Sequence, residues 1–362
     1  MVDKITHHWH VLDNGKVQCD LCPRHCQLNE GQHGFCFVRM RKNNQIVLTN
    51  CGEISSYCVD PIEKKPLYHF LPGSSVLSFG MIGCNLDWKF CQNWQISRAK
   101  DMHLLATHTT PESIVETAQH HHCQSVAFTY NEPIIFMEYA MDTAQACREA
   151  GIKTVIVTNG YICEKPREEF FKYIDAANVD LKSFNETFYF NITKAHLQPV
   201  LETLEYLKKQ TKVWLEITHL LIPNLNDSEH ETEQLAQWIV EHLGVDVPLH
   251  FSAFFPTWKM QELPPTPPEA LMRAREIALK NGLRYVYTGN INDPIGSDTY
   301  CHHCGQRLIQ RTHYKIVDNQ LTKAGHCPFC DTPCSGIFTA SMSINDRDNT
   351  SVSSGWESHD NP

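Results

Sequence analysis

The stretch Gly83-Cys84-Asn85-Leu86-Asp87-Trp88-Lys89-Phe90-Cys91-Gln92-Asn93-Trp94 follows a short apolar run, Val76 to Phe79, and sets two cysteines seven residues apart. That spacing alone says little, and the chain around it decides the fold. Up to Tyr287, β-branched or apolar runs alternate with helical periodicity: Ser125 to Thr129, Thr154 to Val157, Ala177 to Leu181, Val213 to Leu220, Leu249 to Phe251 and Tyr285 to Tyr287. Such a βα series predicts an α/β fold with a parallel sheet or barrel. Thr110-Pro111-Glu112 supplies a cap, a first-turn proline and an early acid for one helix. Thr266-Pro267 is expected to start another, which Asn281-Gly282 ends.

Polar residues gather at the ends of these runs: Cys84, Tyr130-Asn131-Glu132-Pro133, Thr158-Asn159-Gly160 and Asp180-Leu181-Lys182. In a parallel barrel that rim is where ligands bind. Any one of these segments also reads as turn punctuation; four on one rim favour a site. Asp180 and Lys182, two apart on a strand, share a face. His250 is open between the barrel mouth and a structural role.

Lys plus Arg number 31 against 41 Asp plus Glu, a formal charge of −10. There is no general basic surface for nucleic acid or an anionic membrane. The Met1 to Gly15 opening lacks an apolar run of signal-peptide length, and nowhere do about 18 apolar residues run together. A cytosolic protein is expected, in which the sixteen cysteines serve metal or redox chemistry rather than disulfides.

Cys301-x2-Cys304 and Cys327-x2-Cys330, with 22 residues between the pairs, have the spacing of a zinc ribbon, four thiolates closing a tetrahedral site. Rubredoxin-like iron is the alternative, and Cys334 is surplus. Cys19-x2-Cys22-Pro23-x2-Cys26 with Cys36 offers a second four-thiolate set, for zinc first and an auxiliary iron–sulfur cluster second. His120-His121-His122 is expected on a solvated helix end. The stretch from Ala340 to Pro362, rich in Ser, Asn and Asp, reads as a disordered tail.

Asp60-Pro61-Ile62-Glu63-Lys64-Lys65-Pro66-Leu67-Tyr68-His69-Phe70, then Gly80 to Ser97, resembles the cluster-binding region of the radical S-adenosylmethionine (SAM) superfamily. More narrowly the chain resembles AmmeMemoRadiSam system radical SAM enzymes, relatives of the pyruvate formate-lyase activating enzymes. The likeness runs from Cys19 to about Phe338 and takes in Thr129 to Pro133, Val157 to Gly160, Asp180 to Lys182, Leu221-Ile222-Pro223 with Asn226-Asp227, His250 to Pro256 and Tyr287 to Asn290.

The resemblance implies a partial (β/α) barrel over 67–292, an N-terminal Cys-rich module over 1–66, a zinc-ribbon-like module over 293–339 and the tail over 340–362. It implies a [4Fe–4S] cluster on a C-x3-C-x2-C loop, with one iron left to chelate SAM and reductive cleavage to a 5′-deoxyadenosyl radical. Cys84 and Cys91 would be cluster ligands, Asn131 and Glu132 would meet the SAM amino group, and Asp180 and Lys182 its ribose and carboxylate. The middle cysteine position holds Trp88, whose indole donates a hydrogen bond and cannot ligate iron. Asp87, Cys51 and Cys58 are the substitutes to consider. AMMECR-type and Memo-type proteins are the implied partners; a catalytically silent SAM-binding or protein-binding scaffold held by zinc is the alternative reading.

Overall fold

The computed structural model describes residues 3–98 and 107–338; the expected tail lies outside them. One eight-stranded sheet organises the chain. Its strands are β1 (Ser56–Pro61), β2 (Ser75–Gly80), β3 (Ser125–Phe128), β4 (Lys153–Thr158), β5 (Ala176–Asp180), β6 (Trp214–Leu221), β7 (Leu249–Ala253) and β8 (Val286–Gly289). They lie side by side in chain order, β1 antiparallel to β2 and the remaining pairs parallel. Because β1 and β8 are both edges, the sheet is a partial barrel. Each parallel step needs a crossover. The longer crossover helices are α1 (Pro111–His120), α2 (Met137–Glu149), α3 (Gln198–Gln210), α4 (Glu229–His242) and α5 (Pro268–Lys280).

The local signals act where the sequence puts them. The Thr110 hydroxyl accepts from the Ser113 amide, and Pro111 opens α1. His120 ends α1 and His122 takes a left-handed φ of 53°. Gly282, at φ 104°, closes α5. Thr266 departs from expectation: α5 starts at Pro268, and the Thr266 hydroxyl instead accepts from the Phe254 amide and donates to the Leu221 carbonyl. It ties the end of β6 to the chain after β7.

The N-terminal stretch builds two small antiparallel sheets, one of Lys4–Ile5, Gln45–Leu48 and Arg39–Lys42, the other of Trp9–Val11, Val17–Cys19 and Gln27–Leu28. Their buried Val17, Leu21, Val38 and Ile46 share one apolar core with the barrel. At the other end of the chain, Thr299–Tyr300, Arg307–Thr312 and Lys315–Asn319 form a three-stranded sheet whose Leu308 and Ile309 pack with Tyr68, Tyr285 and Tyr287.

The foot of the barrel is closed by the segment after β1. The fully buried Glu216 carboxylate accepts from the amides of Tyr68 (3.0 Å) and His69 (2.8 Å), from Trp214 Nε1 (3.0 Å), and bonds His250 Nε2 (2.7 Å). His250 therefore sits at the foot, stacked on Tyr287 with ring centroids 5.1 Å apart; its role is structural. Arg311, also buried, donates to the Tyr68 carbonyl and to Thr299 Oγ1, pinning the C-terminal sheet to the same plug. No helix among the described residues is long and apolar enough to cross a membrane.

His69 is enclosed between the Ser335 carbonyl and the Tyr287 hydroxyl, and burial lowers its pKa to about 4. Between pH 6.5 and 4 the unfolded chain then binds more protons at this residue than the folded one, so this part of the stability is lost as pH falls. The stability gap between the chain and His69→Gln should narrow on acidification from pH 7 to 4.5, contributions common to both cancelling. A gap in urea midpoint that stays constant over that range would refute it.

Candidate functional site

At the opposite end of the sheet, where the parallel strands terminate, a cavity of about 300 Å³ opens. Cys84, Cys91, Asn131, Glu132, Asp180 and Lys182 all line it, so the fold gathers the six residues singled out on the rim. They come from the loop after β2, the turn after β3 and the end of β5. The volume lies at the lower end of the range for small-molecule sites.

Glu132 is 3% exposed. Its carboxylate accepts from Thr158 Oγ1 (2.6 Å), the Asn159 amide (2.8 Å) and the Ile134 amide (3.1 Å). Burial pushes its carboxyl up to about 7 against those bonds. The network continues from Asn159 Nδ2 to Asn85 Oδ1 (2.8 Å) and from Asn85 Nδ2 to the Tyr161 carbonyl (2.9 Å). The residue next to Cys84 is thereby tied to the end of β4. Asn131 acts on the same loop, its Oδ1 accepting from the Met81 amide and its Nδ2 donating to the Gly83 carbonyl, both at 3.0 Å. Thr158 and Asn159, weak candidates in the sequence, are the partners that orient Glu132.

Asp180 and Lys182 form an ion pair of 2.8 Å inside the cavity. Burial raises the Asp180 pKa, opposed by the Lys182 charge. The Lys182 ammonium also stands 5.2 Å from the centroid of the Trp88 ring, a cation–π distance. Burial, with the nearby Glu132 charge adding, pushes the Cys84 thiol well up, and burial also raises Cys91, whose sulfur lies 3.7 Å from Ser97 Oγ.

The donor set tests the expected cluster. Cys84 and Cys91 are the thiols lining the cavity, and Trp88, between them in sequence, lines it as well. Trp88 Nε1 is buried without a partner, and it is a donor where a ligand atom is needed. The loop does not fit a cluster held by three thiolates. Asp87 does not replace the missing ligand, since its carboxylate faces Arg98 at 3.4 Å and Lys259 at 3.8 Å. Cys58 bonds Asp60, and neither it nor Cys51 reaches the cavity.

Other lining groups were named in the sequence only as parts of quoted segments, or, as with Trp258, not at all. Tyr130, at φ 70°, donates from its hydroxyl to Asp60 (2.9 Å), which also pairs with Lys65 (2.7 Å). Lys65 lies within the quoted Asp60 to Phe70 segment, where it was given no role of its own. Trp258 and Phe254 come from the loop after β7 and carry no local signal beyond aromatic character.

The C-terminal cysteines form a separate centre. The sulfurs of Cys301, Cys304, Cys327 and Cys330 all lie within 4.8 Å of one another, with Cys301 to Cys330 and Cys304 to Cys327 both at 3.6 Å. Four thiols so placed can hold one metal ion. Cys334 is buried beside Tyr285. Cys19, Cys22, Cys26 and Cys36 line a second, smaller cavity.

Replacing Glu132 by Ala would leave three buried donors without their acceptor, at about 1–3 kcal/mol each when unpaired. Urea unfolding at pH 8 should show Glu132→Ala losing roughly 3 kcal/mol or more; a loss under about 1 kcal/mol would mean that the rim does not depend on this carboxylate.

Similarity to known proteins bears on the family. Residues 80–236 match the model of the radical SAM superfamily. The uncharacterized protein MJ0808 of Methanocaldococcus jannaschii is 41% identical over 321 residues, covering 88% of this chain and 95% of that one. The pyruvate formate-lyase 1-activating enzyme of Escherichia coli K12 is 23% identical over 60% of this chain and 93% of its own length. A radical SAM methyltransferase structure from Sphaerobacter thermophilus aligns over 84% of this chain and 81% of its own at 13% identity, with a TM-score of 0.49. With the superfamily's match spanning β2 to α4 and a close relative covered almost end to end, the chain belongs to the radical SAM superfamily.

Proposed function

We propose that this chain binds SAM in the rim cavity and that reductive cleavage is withheld at residue 88. The superfamily uses SAM and a [4Fe–4S] cluster to generate a radical. The observation that carries the reading is the contrast within one cavity: Asn131, Glu132, Asp180 and Lys182 line it beside a loop that brings two thiols, Cys84 and Cys91, with Trp88 between them in sequence. Lys182 suits the SAM carboxylate, Asp180 its ribose hydroxyls, and the Glu132 region its ammonium group. In this reading Asn131 and Glu132 also act as positioning residues, because Asn131 bonds the Gly83 carbonyl and Glu132 holds Asn159, which in turn bonds Asn85 beside Cys84. Trp88 stands at the position of the middle thiolate and meets Lys182 through its ring face.

The narrower assignment to the AmmeMemoRadiSam system, and with it AMMECR-type and Memo-type partner proteins, belongs to the same proposal and rests on the motif order from Asp60 to Asn290. The C-terminal four-cysteine centre is assigned to structural zinc, since four thiolates at single-ion spacing leave no position open for chemistry.

The experiment compares the chain with Trp88→Cys. Both are reconstituted anaerobically with iron and sulfide, reduced with dithionite and assayed for 5′-deoxyadenosine, while equilibrium dialysis measures SAM binding. Both should bind SAM, and only Trp88→Cys should release product. Product from the unaltered chain would overturn the block at residue 88; absence of SAM binding by both would overturn the cavity assignment. Lys182→Met should weaken SAM binding about tenfold, equivalent to about 1.4 kcal/mol, and an unchanged affinity would remove Lys182 from the site.

A further inference from the structure

The two terminal cysteine sets use the same residue in the same number, yet the fold arranges them differently. A tetrahedral zinc with sulfurs at about 2.3 Å keeps its thiolates about 3.8 Å apart. The C-terminal set has that spacing, with sulfur pairs at 3.6 Å. It is the one group of three or more His, Cys, Asp or Glu among the described residues whose ligand atoms all lie within 4.8 Å of one another. Cys19, Cys22, Cys26 and Cys36 are all described and are not drawn together to that extent.

They nevertheless face a common space. All four line a cavity of about 20 Å³ together with Arg24, Arg39 and Asn85. Room for a water takes about 10–15 Å³ on this measure, and four sulfurs 2.3 Å from one point would leave none. The cavity is also cationic on one side. Arg39 is 1% exposed, donates from Nε to the Ile135 carbonyl (2.9 Å) and pairs with Glu138 through Nη2, while its Nη1 is buried with no partner. Arg24, stacked 3.7 Å over the Phe35 ring, likewise has an unpartnered buried Nη2. An anionic occupant bearing acceptor atoms suits the two unpartnered guanidinium nitrogens.

We infer that Cys19, Cys22, Cys26 and Cys36 hold a [4Fe–4S] cluster with a thiolate on every iron. A cluster whose thiolates sit on separate irons spaces them more widely than one ion shared by all four. The backbone supports such a ring: the Phe35 amide points at Cys26 Sγ (3.4 Å), and the Cys19 amide donates to the Cys26 carbonyl (2.9 Å). The cluster is distinct from anything at Cys84 and Cys91, and does not depend on SAM binding in the rim cavity.

The test uses the full chain, purified anaerobically and reconstituted with iron and sulfide. Iron, acid-labile sulfide and zinc are counted, and the dithionite-reduced protein is examined by EPR. About four irons and four sulfides per chain are expected. They should persist in Cys84→Ala/Cys91→Ala and be lost in Cys22→Ser/Cys26→Ser. Added SAM should leave the EPR signal unchanged, since no iron is open. Two zinc ions per chain without sulfide would overturn the inference in the unaltered protein, whether or not the cysteine variants fold. Sulfide lost with Cys84 and Cys91 but kept without Cys22 and Cys26 would overturn it as well.

Discussion

A single buried carboxylate sets the geometry of the rim. Glu132 stands at the end of β3 and takes its three hydrogen bonds from the start of its own turn and from the end of β4. Desolvating a carboxylate is costly, and here the cost is offset by donors placed around both oxygens rather than by a cation. Through Asn159 and Asn85 the same group reaches the loop of Cys84. The ends of two strands and the ligand loop are therefore tied into one hydrogen-bonded network. A side chain read from sequence as a ligand contact proves first to be the scaffold of its own site.

The barrel divides its labour between its two ends. At the foot, Glu216 collects the plug segment and His250, and Arg311 fastens the C-terminal sheet to the Tyr68 carbonyl. That end is aromatic and closed. At the rim the polar side chains line open space, and the Asp180–Lys182 pair keeps charge beside it. Parallel α/β barrels place stability and ligand binding in this way because the strand ends at the rim are where the loops are free to vary.

Much of this was legible in the sequence because the signals were local. All seven runs read from Val76 to Tyr287 became the parallel strands, and Thr110-Pro111 opened α1 as its hydroxyl and ring dictate. What escaped depended on partners far along the chain. His250 faces the foot because Glu216, 34 residues earlier, occupies the adjacent strand. Thr266 was read as a helix start, but its hydroxyl serves the Leu221 carbonyl 45 residues away. No periodicity over a few residues carries such pairings. Trp88 was legible as a missing ligand, while its contact with Lys182 was not.

The N-terminal module is more than a flank to the barrel. The Cys36 carbonyl lies 2.4 Å from where a Cβ on Gly83 would stand, and Gly83 is at φ 94°. Only glycine allows the loop before Cys84 to press so closely on the chain bearing Cys36. Asn85 lines the small cavity of the four N-terminal cysteines while its side chain bonds into the Glu132 network. Gly83 and Asn85, on either side of Cys84, thus both touch the N-terminal module. The chain that carries those four thiols is therefore also the surface on which the Cys84 loop rests, and the rim cavity and the N-terminal module share one packed wall.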